Sequence, residues 1–421
     1  MRRYCVVTVL FLQSLFLQKG AVLAQQSPFV DQLLKNRYSL SVQEQSFSGI
    51  GAQPLKELLD GAQFVMVGED HGTAEIPRFV SALCYTLAPQ GFRTFAVESG
   101  PLVTPLLRQS SDSADHIARM ADFEKKYPDS TAFFNLQQEN DLITQCNKAF
   151  SPNGNFLLWG LDQELMGASG FILERILETH PGINAKAAIQ DALKKEAEFH
   201  AKAATTGNPT DLYMLSATDE DVNHITGLLR SEGSAQAQSL WAQLLESRVI
   251  YQLNMTQGYD SNRRRALWMK TNFLRYYEQT SQAEKKAPKV LFKFGDWHVY
   301  KGFNPLYNND LGNFVTELAD GQHQKAANII ILGVQGPHLR FAGSGRPYRI
   351  DNSKMLDNPD YQFMKPLVDN LATDGWTVFD LRGLRKGFRS LGAVDASMER
   401  LIFGCDMLVL IPEVTASKQI Q

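Results

Sequence analysis

Two short segments, Gly68-Glu69-Asp70-His71 and Gly295-Asp296-Trp297-His298, close two of the most apolar runs in the chain, at 64–67 and 290–294. An apolar run that stops abruptly at glycine reads as a strand buried on both faces. The carboxyl end of such a strand is where an open α/β sheet presents polar side chains to ligands. With 30 Gly and 8 His in 421 residues, chance supplies roughly half of one Gly-x-x-His, so a second copy in the same setting carries weight. A third strand-like run, 94–97, ends in Glu98, and a fourth, 156–160, is followed by Asp162. Two imidazoles and several carboxylates at strand ends suit a general acid–base site or a divalent-metal site.

The runs are spaced by helical patterns. The strand at 64–67 leads into a helix at about 74–87, and that at 94–97 into 101–108, where Pro101 fits a first helical turn. A helical stretch at about 131–150 precedes the strand at 156–160. Such repeated strand–helix units predict an α/β fold with a largely parallel central sheet flanked by helices. Between about 165 and 285 strand signals vanish, and apolar residues recur every three or four positions, as in Leu240, Leu244, Leu245, Val249 and Leu253. This segment is expected to be a helical insertion or cap. Strand rhythm returns at 290–294, 329–332, 377–381 and 407–411, while 343–360 reads as surface loop.

The first 24 residues have the build of a secretory signal peptide: Arg2-Arg3, a short apolar stretch, then Ala21-Val22-Leu23-Ala24 as a cleavage site. Residues 25–421 would then form the α/β domain, exported to the periplasm or medium, with no integral membrane segment after cleavage. A formal charge of −3 gives no case for nucleic acid, and the expected partner is a small-molecule substrate. Cys84, Cys146 and Cys405 remain in the mature chain. One disulfide is compatible with an oxidising compartment, but an odd number of cysteines in apolar surroundings reads more readily as buried thiols.

Glu69 directly follows a strand glycine, where a carboxylate has few structural reasons to stand. Asp70 reads instead as an N-cap of the next helix. His71 and Glu75 are spaced to share a helical face. Glu98 follows residues buried on both faces, so it needs a partner or a perturbed pKa, and a salt bridge to a structural Arg is its plain alternative. For Asp162 the plain alternative is capping a helix that starts near Leu165. Arg265, Met269 and Asn272 fall on one helical stripe, as if facing a polar cavity. The other histidines, His338 among them, read as surface. No Gly-x-Ser-x-Gly, Walker A or His-Glu-x-x-His motif is present, which argues against a serine α/β-hydrolase, a P-loop NTPase and a zincin.

Taken in order, Gly68-Glu69-x-His71-Gly72 with Glu75, Val97-Glu98, Gly160-x-Asp162, Arg265-x-x-x-Met269-x-x-Asn272, His298 and Phe379-Asp380-Leu381-Arg382 resemble the erythromycin esterase-like superfamily. Haem-binding lipoproteins and Tiki-type metalloproteases look related to it. The first motif is one residue shorter before His71 than in the esterases, Ala74 stands where they carry Arg, and Gly295 where many carry a histidine. The resemblance implies a hydrolase acting on an ester-type bond, including lactones. His71 would be the general base, Glu98 its partner, His298 and Arg265 oxyanion or substrate groups, and Glu69 the remaining acid–base member. Asp162, Glu75 and Asn272 would contact substrate. No cofactor is favoured. Two alternatives remain open: a metal-dependent hydrolase holding Mn, Co or Zn on His71, Glu98 and His298, and a non-enzymatic haem-binding protein.

Overall fold

A computed structural model describes residues 27–131, 133–151 and 154–420 of the chain. The signal peptide expected over 1–24 lies outside them. Among the described residues eleven strands occur in the order β1 (Arg37–Val42), β2 (Phe47–Ser48), β3 (Ala62–Glu69), β4 (Thr94–Val97), β5 (Leu157–Gly160), β6 (Val290–Gly295), β7 (Lys325–Gly333), β8 (Gln335–Arg340), β9 (Arg349–Lys354), β10 (Trp376–Asp380) and β11 (Met407–Ile411). Nine of them form one sheet, ordered β2-β1-β10-β11-β7-β3-β6-β4-β5. From β11 to β5 every neighbouring pair is parallel, and the β1–β10–β11 edge is antiparallel. The fold is α/β.

Helices cover both faces, and this is why the central strands read as unbroken apolar runs rather than alternating ones. On β3, Phe64 and Met66 pack into one core with Phe273 and Phe292, while Val65 and Val67 pack into a second with Phe79, Leu142 and Cys146. Each fully buried side chain of this kind contributes about 1.5–3 kcal/mol before the entropy of ordering is counted. The chain leaves β3 for β4 and β5, and only after some 130 further residues does β6 return to insert between β3 and β4. Four strand ends, β3, β6, β4 and β5, therefore stand side by side at one edge.

Residues 169–284 are helical throughout apart from short turns. Phe171, Ile172, Ile189, Ile225, Trp241 and Leu244 build a third core of their own, a cap beside the sheet. The last helix of the stretch, Gly258–Glu284, belongs instead to the main body, because Met269, Phe273 and Tyr277 pack against the sheet. The region expected to be surface loop, 343–360, contains β9, which pairs with β8 as a separate hairpin. The helix expected from 131 starts only at Gln137. No described helix is long and apolar enough to cross a membrane.

The reading of all three cysteines as thiols is corrected. Cys84 and Cys146 lie on the helices Glu75–Leu87 and Gln137–Phe150, which pack against each other, and they form a disulfide; Cys405 is a buried thiol. Spacing alone cannot reveal that pairing, since it depends on which helices meet. The bridge spans 62 residues of sequence, so by the chain-entropy account its loss costs about 4 kcal/mol. Paired Cys84→Ser and Cys146→Ser substitution should lower the urea midpoint accordingly, and an unchanged midpoint would refute a stabilising role.

Candidate active site

β3 ends in Glu69, buried at the sheet edge, with His71 two residues beyond. The His71 Nδ1 lies 2.7 Å from Glu69 Oε1, and its Nε2 lies 3.6 Å from Glu98 Oε2. The side-chain period of two explains how one imidazole meets both carboxylates. Glu69 shares a face with Val65 and Val67, whereas Glu98, one past Val97, shares the opposite face with Ala96. The imidazole spans the sheet edge between the two layers.

Each carboxylate has its own cation. Lys293, on β6 and on the same face as Glu69, donates to Glu69 and to Glu139 Oε1 at 2.9 Å. Arg265, from the helix packed on the opposite face, donates to Glu98 Oε1 at 2.6 Å and to both oxygens of Asp162, at 2.9 and 2.5 Å. Its remaining nitrogen lies 3.2 Å from His298 Nε2, while His298 Nδ1 is held by Asp310 Oδ2 at 2.9 Å. The Gly295 N–H donates to Glu98 Oε2 at 2.5 Å. A Cβ on Gly295 would stand 3.2 Å from His71 Nε2 and 3.4 Å from Glu98, so any side chain there would fill the middle of the site. Gly68 answers to packing: its Cβ would lie 2.7 Å from the Asp296 Cα, in the short helix Asp296–Val299 that carries His298.

Burial pushes the Glu69 carboxyl up, but Lys293 and His71 outweigh it and hold the group ionised below its usual range. Glu98 is likewise pushed up by burial and pulled down to about 2 by Arg265, with help from His298, His71 and the Gly295 N–H. For both imidazoles burial disfavours the charge. Glu69 raises His71 above its ordinary value, and Asp310 raises His298. Glu139, buried and beside Glu69, is pushed up to about 7.

The structure thus brings together Glu69, His71, Glu98, Asp162, Arg265 and His298. It does not bring Glu75 or Asn272 to them. Glu75 accepts from the Thr415 backbone N–H and hydroxyl, pinning the C-terminal segment, and Asn272 donates to the Leu161 carbonyl at 2.9 Å beneath the Asp162 turn. Those two assignments to substrate contact are corrected to positioning roles. Of the Arg265 stripe, Met269 lies in the core, not a polar cavity. Asp70 is not a cap: it pairs with Arg340 at 2.8 and 2.9 Å and lies 3.2 Å from His338, which is buried rather than at the surface. Asp162 caps no helix either, being committed to Arg265.

Lys293, Glu139 and Asp310 escaped the sequence reading. The signal for Lys293 was present, a cation in the middle of an apolar strand, which can only stand there with buried anions as partners. Asp310 carried none, because its role exists only where its loop returns to His298. Removing Lys293 leaves Glu69 and Glu139 as uncompensated buried acids. Lys293→Met should therefore destabilise the fold by about 3–5 kcal/mol, read by urea unfolding. Lys293→Met combined with Glu139→Gln should recover part of that loss, and no recovery would contradict the pairing.

The Arg265 guanidinium donates to the Glu98 oxygen and faces His298 Nε2, so it occupies the lone pairs that a divalent ion would need. With that cation between them, Glu98 and His298 do not fit such an ion as a pair.

No family model matches the sequence, and no curated protein matches it. Solved structures do. A mutant of the erythromycin esterase EreC in its open conformation superposes with a TM-score of 0.60 at 14% identity, over 91% of this chain and 99% of that one. A succinoglycan biosynthesis protein gives 0.56 at 15% identity, over 93% and 98%. A protein of Bacillus cereus gives 0.54 at 15% identity, over 93% and 99%. Over more than nine-tenths of its length, the chain has the fold of an erythromycin esterase.

Proposed function

We propose that the protein is an exported hydrolase that cleaves an ester-type bond, lactones included, by direct attack of water. The observation that carries this reading is the His71 imidazole. Glu69 fixes its Nδ1, its Nε2 is turned towards Glu98 3.6 Å away, and the ring borders a cavity. That is the arrangement of an oriented general base. Nε2 takes a proton from water as the oxygen adds to the carbonyl carbon. Arg265 stabilises the oxyanion, and His298, held by Asp310, keeps that guanidinium in place. When the tetrahedral species collapses, the ester C–O bond breaks and the proton on His71 passes to the departing alkoxide. The chain offers no serine or cysteine in a nucleophile motif, and direct water attack needs none. Export is supported by the N-terminal leader and by the Cys84–Cys146 disulfide, a bond characteristic of oxidising compartments.

His71→Ala should lower kcat on a small p-nitrophenyl ester by about 10²–10⁴-fold with an unchanged far-UV spectrum. Because Glu69 raises the His71 pKa, and only the neutral ring accepts a proton, the rate should climb with pH through a midpoint above 6.5. Glu69→Gln removes the raising partner, so the midpoint should move to lower pH while the plateau falls. A shift to higher pH would refute the pairing. Activity should survive prolonged chelation. Loss on chelation with recovery on adding Mn, Co or Zn would establish the metal-dependent alternative, and a Soret band on purified protein without esterase activity would establish haem binding.

A further inference from the structure

Beside the His71 imidazole lies a cavity of about 280 Å³. Its walls come from three separate parts of the chain. Phe133 and Leu136 belong to the loop that enters the helix Gln137–Phe150, Leu165 and Leu212 border the cap, and Leu339 with Phe341 come from the β8–β9 hairpin. Phe133 stacks on the His71 ring with centroids 3.7 Å apart, so an aromatic wall runs directly up to the base.

Most charged and polar side chains in these walls are already committed, although the buried Ser344 hydroxyl has no partner. Arg340 is held by both oxygens of Asp70 and by the His71 carbonyl at 3.1 Å. Asp129 accepts from the Gly345 N–H at 3.3 Å, and the Tyr348 hydroxyl pairs with Asn135. An incoming carboxylate or phosphate would lose its water and find only cations already paired with carboxylates, Arg340 with Asp70 and any charge on His71 with Glu69 and Glu98, which is a heavy desolvation cost. An apolar group loses nothing by entering and gains by leaving water.

We infer that this cavity receives one flank of the scissile carbonyl and selects small, uncharged, apolar esters. An engineered cavity of about 150 Å³ binds benzene, so this one admits roughly two ring-sized groups, and a glycosylated macrocycle would have to extend well beyond it. The reactive role rests on the hydrolase reading above; the binding preference does not.

The test separates the two. Binding of 2-naphthylmethanol and of 2-naphthoate to the mature wild-type protein is measured by calorimetry, together with hydrolysis of p-nitrophenyl butyrate and p-nitrophenyl hemisuccinate. The alcohol should bind at least tenfold more tightly than the carboxylate, and the butyrate should exceed the hemisuccinate at least tenfold in kcat/KM. Phe341→Lys, at a position that is 44% exposed and so tolerant of a charge, should weaken the alcohol and strengthen the carboxylate. Leu212→Trp should displace the alcohol; if that core variant fails to fold, Phe341→Lys still decides. Equal binding of both probes, or a preference that Phe341→Lys leaves unmoved, overturns the cavity assignment even if esters are cleaved. Selective binding of the alcohol with no ester cleaved upholds the apolar pocket and overturns only the hydrolase reading.

Discussion

Glu69 and Glu98 stand ionised at the ends of β3 and β4, the two strands that flank β6, almost without water, and a lone carboxylate in such a place costs several kcal/mol. Lys293 reaches the first from within the sheet, and Arg265 reaches the second from a helix laid across it. Much else follows from these two pairings. Lys293 must share the Glu69 face of β6, which fixes the register of β6 against β3, where Glu69 pairs with Gly295. Arg265 must lie over the opposite face, so the helix Gly258–Glu284 is bound to the sheet by charge as well as by Phe273 and Tyr277. Asp162 then takes the rest of the guanidinium and draws the end of β5 into the same cluster.

His71 depends on this scaffold rather than adding to it. One ring nitrogen is turned to the carboxylate of one layer and the other to the carboxylate of the opposite layer. That geometry is available only at the sheet edge, where the two faces meet. The glycine at the end of β6 keeps the space between His71, Glu98 and His298 open, and a side chain there would close it. The apolar cavity on the far side of His71 is assembled from the cap, the loop at Phe133 and the β8–β9 hairpin, so the polar cluster is formed by the sheet and its dry neighbour by insertions.

The strands were readable because burial on both faces leaves no room for polar alternation, and a run such as Phe64-Val65-Met66-Val67 has little other use. The site residues were readable for a related reason: Glu69, Glu98, Asp162 and His298 interrupt or directly follow such runs. The errors have a common cause. Asp70, Glu75 and Asn272 were assigned from neighbours in sequence, yet their partners are Arg340, Thr415 and Leu161, each distant along the chain. The helix-start geometry that would make Asp70 a cap is absent, because the helix begins at Glu75 and the intervening turn is bonded to the hairpin.

The amino-acid sequence by itself determined the layered α/β plan, the parallel strands, the helical cap and the placement of acids and imidazoles at carboxyl ends, since each follows from hydropathy period and local turn chemistry. Tertiary structure alone decided which cation answers which acid, that Asp310 holds His298, that Cys84 meets Cys146 and that β6 lies between β3 and β4. Those are contacts between segments separated by scores or hundreds of residues. A periodic pattern records which face a side chain occupies but carries no information about what will be packed against it.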